Sequence, residues 1–152
     1  MDDSRWLLLA TCALAAYSVG QVWLVQVSSY RLWPLVGERE FRAYHAAWWR
    51  GIWGVILAPA ALLSAAATVM LWRPAPDVPA WAVRLGFALQ VALLIGTAAW
   101  WGPLMARLET QDGGLHPERY RLMLTTHWLR VGIVSTYGAL AFWMLARSAL
   151  RL

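Results

Sequence analysis

Four long apolar stretches, divided by short breaks rich in proline, glycine and charge, constrain this chain more than any other feature. They run over about residues 6–30, 41–72, 80–108 and 118–150. A helix needs about 20 apolar residues to cross the hydrocarbon layer of a bilayer, so each stretch is long enough to span it once. Of the 152 residues, 61% are hydrophobic and only 14% charged. A soluble domain of this size has no interior large enough for so much apolar surface, whereas a bundle of membrane helices turns it toward lipid. The expected fold is therefore all-α: a polytopic membrane protein, a four-transmembrane-helix bundle forming one domain over residues 1–152, with the lipid bilayer as its first partner.

Aromatic and basic residues refine this picture. Trp6, Trp33, Trp72, Trp81 and Trp143 lie near the ends of the stretches, where indole rings favour the membrane interface. Trp48, Trp49, Trp53, Trp100 and Trp101 do not all fit such a belt, and read either as packing bulk or as a flat wall for a planar ligand. Every basic residue is arginine, and the formal charge is +5. The arginines form no stripe, so contacts at the membrane surface explain them better than nucleic acid, which is not expected as a partner. The single cysteine, Cys12, excludes an internal disulfide and any multi-cysteine metal site. The apolar run after Arg5 has no clear small-residue cleavage site, so the first stretch is expected to be a retained span.

An even number of crossings places both termini on one side and the 1–2 and 3–4 connections on the other. Arginines are nearly balanced between the two sides, so the positive-inside rule leaves the orientation open. Topology nonetheless groups the polar residues. Gln26 and Tyr30 end the first span, His45 and Arg50 begin the second, Met105 ends the third, and His127 and Arg130 begin the fourth, all on one side of the bilayer. His45 and His127 both fall on the order of 10 Å into their helices. Tyr120, His127, Arg130 and Tyr137 share an arc of the fourth span, and His45, Trp49 and Trp53 recur every four residues in the second. Ionisable groups at this depth usually face the bundle interior and mark a site. Pro59 should bend the second span, and Gly102-Pro103 should interrupt the third.

Two chemistries suit these residues. His45 and His127 on facing helices could ligate a haem b iron axially, with Arg50 or Arg130 on a propionate, making the chain a haem-binding electron carrier. Alternatively, with no cofactor, His acts as general base on a phenolic or quinone-like molecule and Arg stabilises the oxyanion. The catalytic candidates are then His45, His127, Arg130 and Arg50, with Gln26, Tyr30, Trp49, Trp101, Met105 and Tyr137 lining the ligand site.

Val25-Gln26 followed by Tyr30, the run Phe41 to His45, Pro59, Pro103-Leu104, and His127-Trp128-Leu129-Arg130 occur in an order that resembles a family of small four-span bacterial membrane proteins. That family, largely of unknown function, is related to the anthrone-oxygenase-like proteins. The resemblance implies a bacterial inner-membrane location and an oxygenase-like activity on polycyclic phenols. The family pattern carries a glutamate, a histidine and an asparagine where this chain has Ser64, Met105 and His127, so only His45 and Arg130 match its polar positions. The leading expectation is a small oxidoreductase or oxygenase-like protein that binds an aromatic or quinone-like ligand between its helices. The alternative of a different class is a non-catalytic accessory subunit of a larger membrane complex or homo-oligomer.

Overall fold

A computed structural model describes residues 3–149, which form four helices long and apolar enough to cross a membrane. They are α1 (Asp3–Leu35), α2 (Glu38–Val69), α3 (Ala80–Ala106) and α4 (Pro117–Ala149). Among the described residues there is no β-strand, only an isolated bridge between Glu109 and Leu115. The chain is an all-α four-helix bundle, as the apolar stretches require. The expected end of the last span at Leu150 lies outside the described residues.

The breaks are tighter than the sequence suggests. Pro34 to Arg42 reads as a polar hinge, yet α1 continues through a 3-10 turn at Trp33–Leu35 and only Val36 and Gly37 separate it from α2. Pro34 sits in the first turn of that segment, where a missing N–H leaves no bond unmade. Neither interior proline stops its helix. Wide turns with i to i+5 bonding precede both, at Trp53–Leu57 before Pro59 and at Thr97–Trp101 before Pro103. Pro59 has no N–H for the carbonyl of Val55, and the Tyr17 hydroxyl of α1 donates to that oxygen at 3.0 Å. At the second turn the Gly102 N–H bonds Thr97 O, and a Cβ on Gly102 would stand 2.8 Å from that oxygen. A third wide turn occupies Val25–Ser29 of α1.

Neighbours around the bundle follow chain order, α1 to α2 to α3 to α4 and back to α1. The two ends of the bundle pack differently. Toward the termini, Ala15, Ala67, Ala82 and Ala141 let the helices close on one another with Leu8, Leu63, Met70 and Met144 between them. Toward the 1–2 and 3–4 connections the buried residues are large: Tyr30, Trp33, Phe41, Trp101, Met105 and Met123. Bulky side chains hold the helices apart there, and the first half of α2 meets the bundle through indole and phenyl rings. Trp6, Trp72, Trp81 and Trp143 are exposed, in keeping with interfacial positions. Trp33 is not: it is fully buried, because the helix continues past it and turns it inward against Tyr30, Phe41 and Trp48.

Candidate functional site

Between the tight end and the aromatic end lies a cavity of about 200 Å³. Its walls come from all four helices, with Tyr30, Trp48, Trp49, Trp101 and Met105 at the aromatic end, and Ser64 and Gln90 at the other. Leu57 and Ala61 of α2 and the exposed Leu94 of α3 stand at its lipid-facing edge.

His127 and Arg130 of α4 bring two ionisable side chains to this cavity. The Gln26 amide nitrogen donates to the backbone oxygen of Leu124 at 3.0 Å, and Gln26 Oε1 lies 2.8 Å from His127 Nδ1. A carbonyl oxygen only accepts, so the Gln26 nitrogen must face Leu124 and its oxygen must face the imidazole. His127 Nδ1 is therefore the donor, and in the neutral ring the lone pair resides on Nε2. Both side chains are buried, at 0% and 1% exposure, yet Nε2 keeps accessible surface and has no protein partner, so it opens on the cavity. The wide turn at Val25–Ser29 places Gln26 and Tyr30 toward α4 together. Tyr30 packs edge-on to His127 with ring centroids 4.9 Å apart, and its hydroxyl likewise has no protein partner and faces the cavity.

Arg130 extends across the cavity to α3. Its Nη2 donates to Thr97 Oγ1 at 2.7 Å, and the guanidinium carbon lies 4.7 Å from the centroid of the Trp101 ring. Thr97 in turn donates to Leu93 O at 2.6 Å, which fixes its oxygen as the acceptor. Gly96 makes room for the indole, since a Cβ there would come within 2.6 Å of Trp101. No carboxylate among the described residues forms an ion pair with Arg130. A permanent cation thus borders an apolar cavity with one hydroxyl and one indole face for company, and Nη1 is left for a ligand.

His45 occupies a separate place. Its Nδ1–H donates to Glu109 Oε1 at 2.8 Å, while Arg42 Nε reaches the other carboxylate oxygen at 3.4 Å. The 3–4 connection is folded to present Glu109: Thr110 N bonds Gly114 O at 2.8 Å, His116 N bonds Leu108 O at 2.7 Å, and Gly113 takes φ +90° under Arg42. His45 Nε2 is enclosed and unpartnered beside the Trp33 ring, 5.7 Å between centroids, and His45 does not line the cavity.

The sequence-derived set therefore divides. Tyr30, Trp49, Trp101, Met105, His127 and Arg130 line one cavity, and Gln26 supports His127 from behind. Arg50 is exposed on the outer face of α2. Tyr137 is buried in the tight core toward the termini. Trp53 is 65% exposed, because successive four-residue steps from His45 drift by about 40° each. Bis-histidine haem ligation does not fit: His45 has one nitrogen held by Glu109 and the other enclosed, it does not line the cavity, and the Tyr30 and Trp33 rings stand between the two imidazoles. Among the described residues no group of three or more His, Cys, Asp or Glu is placed to hold a metal ion. Thr97 and Gln90 line the cavity and sequence reasoning did not select them; nor did it select Glu109, the partner of His45. Comparison with protein-family models, with curated proteins and with solved structures finds no match for this chain.

Proposed function

We propose that this protein binds a lipid-soluble aromatic hydroxy compound within the bilayer and draws the proton from its ring hydroxyl. The observation that carries this reading is the pairing, in one apolar cavity, of an unpartnered acceptor at His127 Nε2 with an unpaired cation at Arg130. A ring hydroxyl matches both. Its hydrogen is donated to Nε2, and its oxygen accepts from Arg130 Nη1. When the proton passes to Nε2 the electron pair stays on the ring oxygen. Arg130 then faces the oxyanion, and Gln26 Oε1 accepts from the imidazolium Nδ1–H. Low dielectric strengthens the attraction between the oxyanion and Arg130 relative to water, and equally the repulsion between Arg130 and the imidazolium, so the proton moves only as the oxyanion comes to lie between the two.

Size and shape point the same way. A cavity of about 150 Å³ accommodates benzene, so the 200 Å³ here suits one or two fused rings. Trp49, Trp101 and Tyr30 provide flat faces, and Leu94, which lines the cavity and is itself exposed, marks the side from which a lipid-dissolved ligand would enter. An electron-rich anion of this kind is the form in which such rings react with oxidants, which supports an oxidoreductase-like reading, with a bacterial inner membrane as the location we propose for it.

The test is uptake of tritiated 1-naphthol by the purified protein, corrected for uptake by empty detergent micelles. Saturable one-to-one binding is expected, weakened at least about tenfold in Arg130→Met, since a charged hydrogen bond contributes about 1.5–3 kcal/mol. Arg50→Gln should leave it unchanged. Equal binding by wild type and Arg130→Met would remove the basis of the proposal.

A further inference from the structure

The far end of the cavity carries a second polar group that the hydroxyl-binding reading leaves unused. Gln90 of α3 is 3% exposed and lines the cavity. Its Oε1 accepts from Ser64 Oγ at 3.1 Å. Its Nε2 has no protein partner but retains accessible surface, so two N–H donors face the cavity at the end where Ser18, Gln21 and Ser64 are the other polar lining residues. A buried amide left in this state is costly unless something pairs with it.

Register on α3 gives the separation of the two polar ends. Arg130 is tied to Thr97, seven residues from Gln90, which at 1.5 Å per residue is about 10 Å along the helix. A six-membered ring bearing oxygens at opposite positions, with a hydrogen bond of about 2.8 Å at each, spans about the same length. Donor and acceptor roles are also complementary. The upper end provides an acceptor and a cation, which suit a hydroxyl, whereas the free nitrogen of the Gln90 amide provides donors, which suit a carbonyl, hydroxyl or ether oxygen.

We infer that the ligand is a ring oxygenated at opposed, para positions, held by His127 and Arg130 at one oxygen and by the Gln90 amide at the other. This rests on the hydroxyl-binding reading above and adds the substrate class, a para-dioxygenated ring of the hydroquinone type. A compound with a single ring oxygen leaves the Gln90 donors unsatisfied and binds more weakly.

Two probes separate the inference from the reading beneath it. 4-Methoxy-1-naphthol carries the second acceptor, and 1-naphthol lacks it. Wild-type protein in detergent, titrated anaerobically with each, should bind the methoxy compound about five- to tenfold more tightly, the value of one buried neutral hydrogen bond. Gln90→Met, close in size and without the donors, should abolish that preference, the two probes then binding alike. Equal affinity of wild type for the two probes overturns the inference while the hydroxyl-binding reading stands. Binding of neither overturns both. The wild-type comparison decides the matter even where Gln90→Met does not fold.

Discussion

Replacing Gln26 with leucine tests the device that aims the histidine. Gln26 is fully buried and bridges Leu124 O to His127 Nδ1 at 3.0 and 2.8 Å. Leucine fills nearly the same volume, so little cavity term arises. Leu124 O lies within α4 and keeps its helical bond, so the cost falls on His127, whose Nδ1–H loses its acceptor in a dry setting. An unsatisfied buried donor costs about 1–3 kcal/mol, and interhelical bonds in membrane bundles measure lower, about 0.6 on average with a maximum near 1.7. We expect a loss of about 1–2 kcal/mol in reversible unfolding from mixed micelles. The proton should also leave Nδ1, because nothing there holds it, and Nε2 should become a donor toward the cavity. Nitrogen-15 NMR of histidine-labelled protein reads this directly, with the His127 signal assigned by its absence in His127→Gln. Wild type should show neutral His127 protonated at Nδ1, and Gln26→Leu should show it at Nε2. A wild-type His127 protonated at Nε2 would refute the chain of donors and acceptors on which the site is built.

Two further perturbations probe the scaffold. Glu109→Gln should weaken the hold of the 3–4 connection on α2, seen as faster amide exchange over residues 108–116, while 1-naphthol affinity stays within about twofold, because His45 does not line the cavity. Gly102→Ala sets a methyl 2.8 Å from Thr97 O, and should cost about 1–3 kcal/mol in the same unfolding assay and loosen the Thr97 contact to Arg130. An alanine variant of wild-type stability would mean that the wide turn has room to relax.

Much of the bundle is written in apolar length, because lipid leaves the backbone no alternative to helices of spanning size. A break in the regular bonding near Pro59 is legible for the same reason, but its form, a wide turn, is not: the Tyr17 hydroxyl reaches Val55 only once α1 and α2 have packed. Topology and phase together select Tyr30, Met105, His127 and Arg130, since four helix ends must meet on one side. Arg50 fails on phase, lying five residues and so about 140° round from His45. Tyr137 fails on depth, about 15 Å along α4 from His127. His45 shares the depth of His127 but not its cavity, because Trp33 turns inward beside it, which no end-of-helix rule for tryptophan foresees. Thr97, Gln90 and Glu109 matter through partners on other helices, and periodicity within one helix carries no record of those.

Proton transfer within the bilayer is the centre of this account, and the absorption spectrum of bound 1-naphthol measures it. At neutral pH, wild-type protein saturated with 1-naphthol should show the red-shifted band of the naphtholate anion, and His127→Gln, which keeps an acceptor but not a base, should bind the compound and show only the neutral form. A neutral spectrum in wild type, or a naphtholate band that persists in His127→Gln, would contradict it.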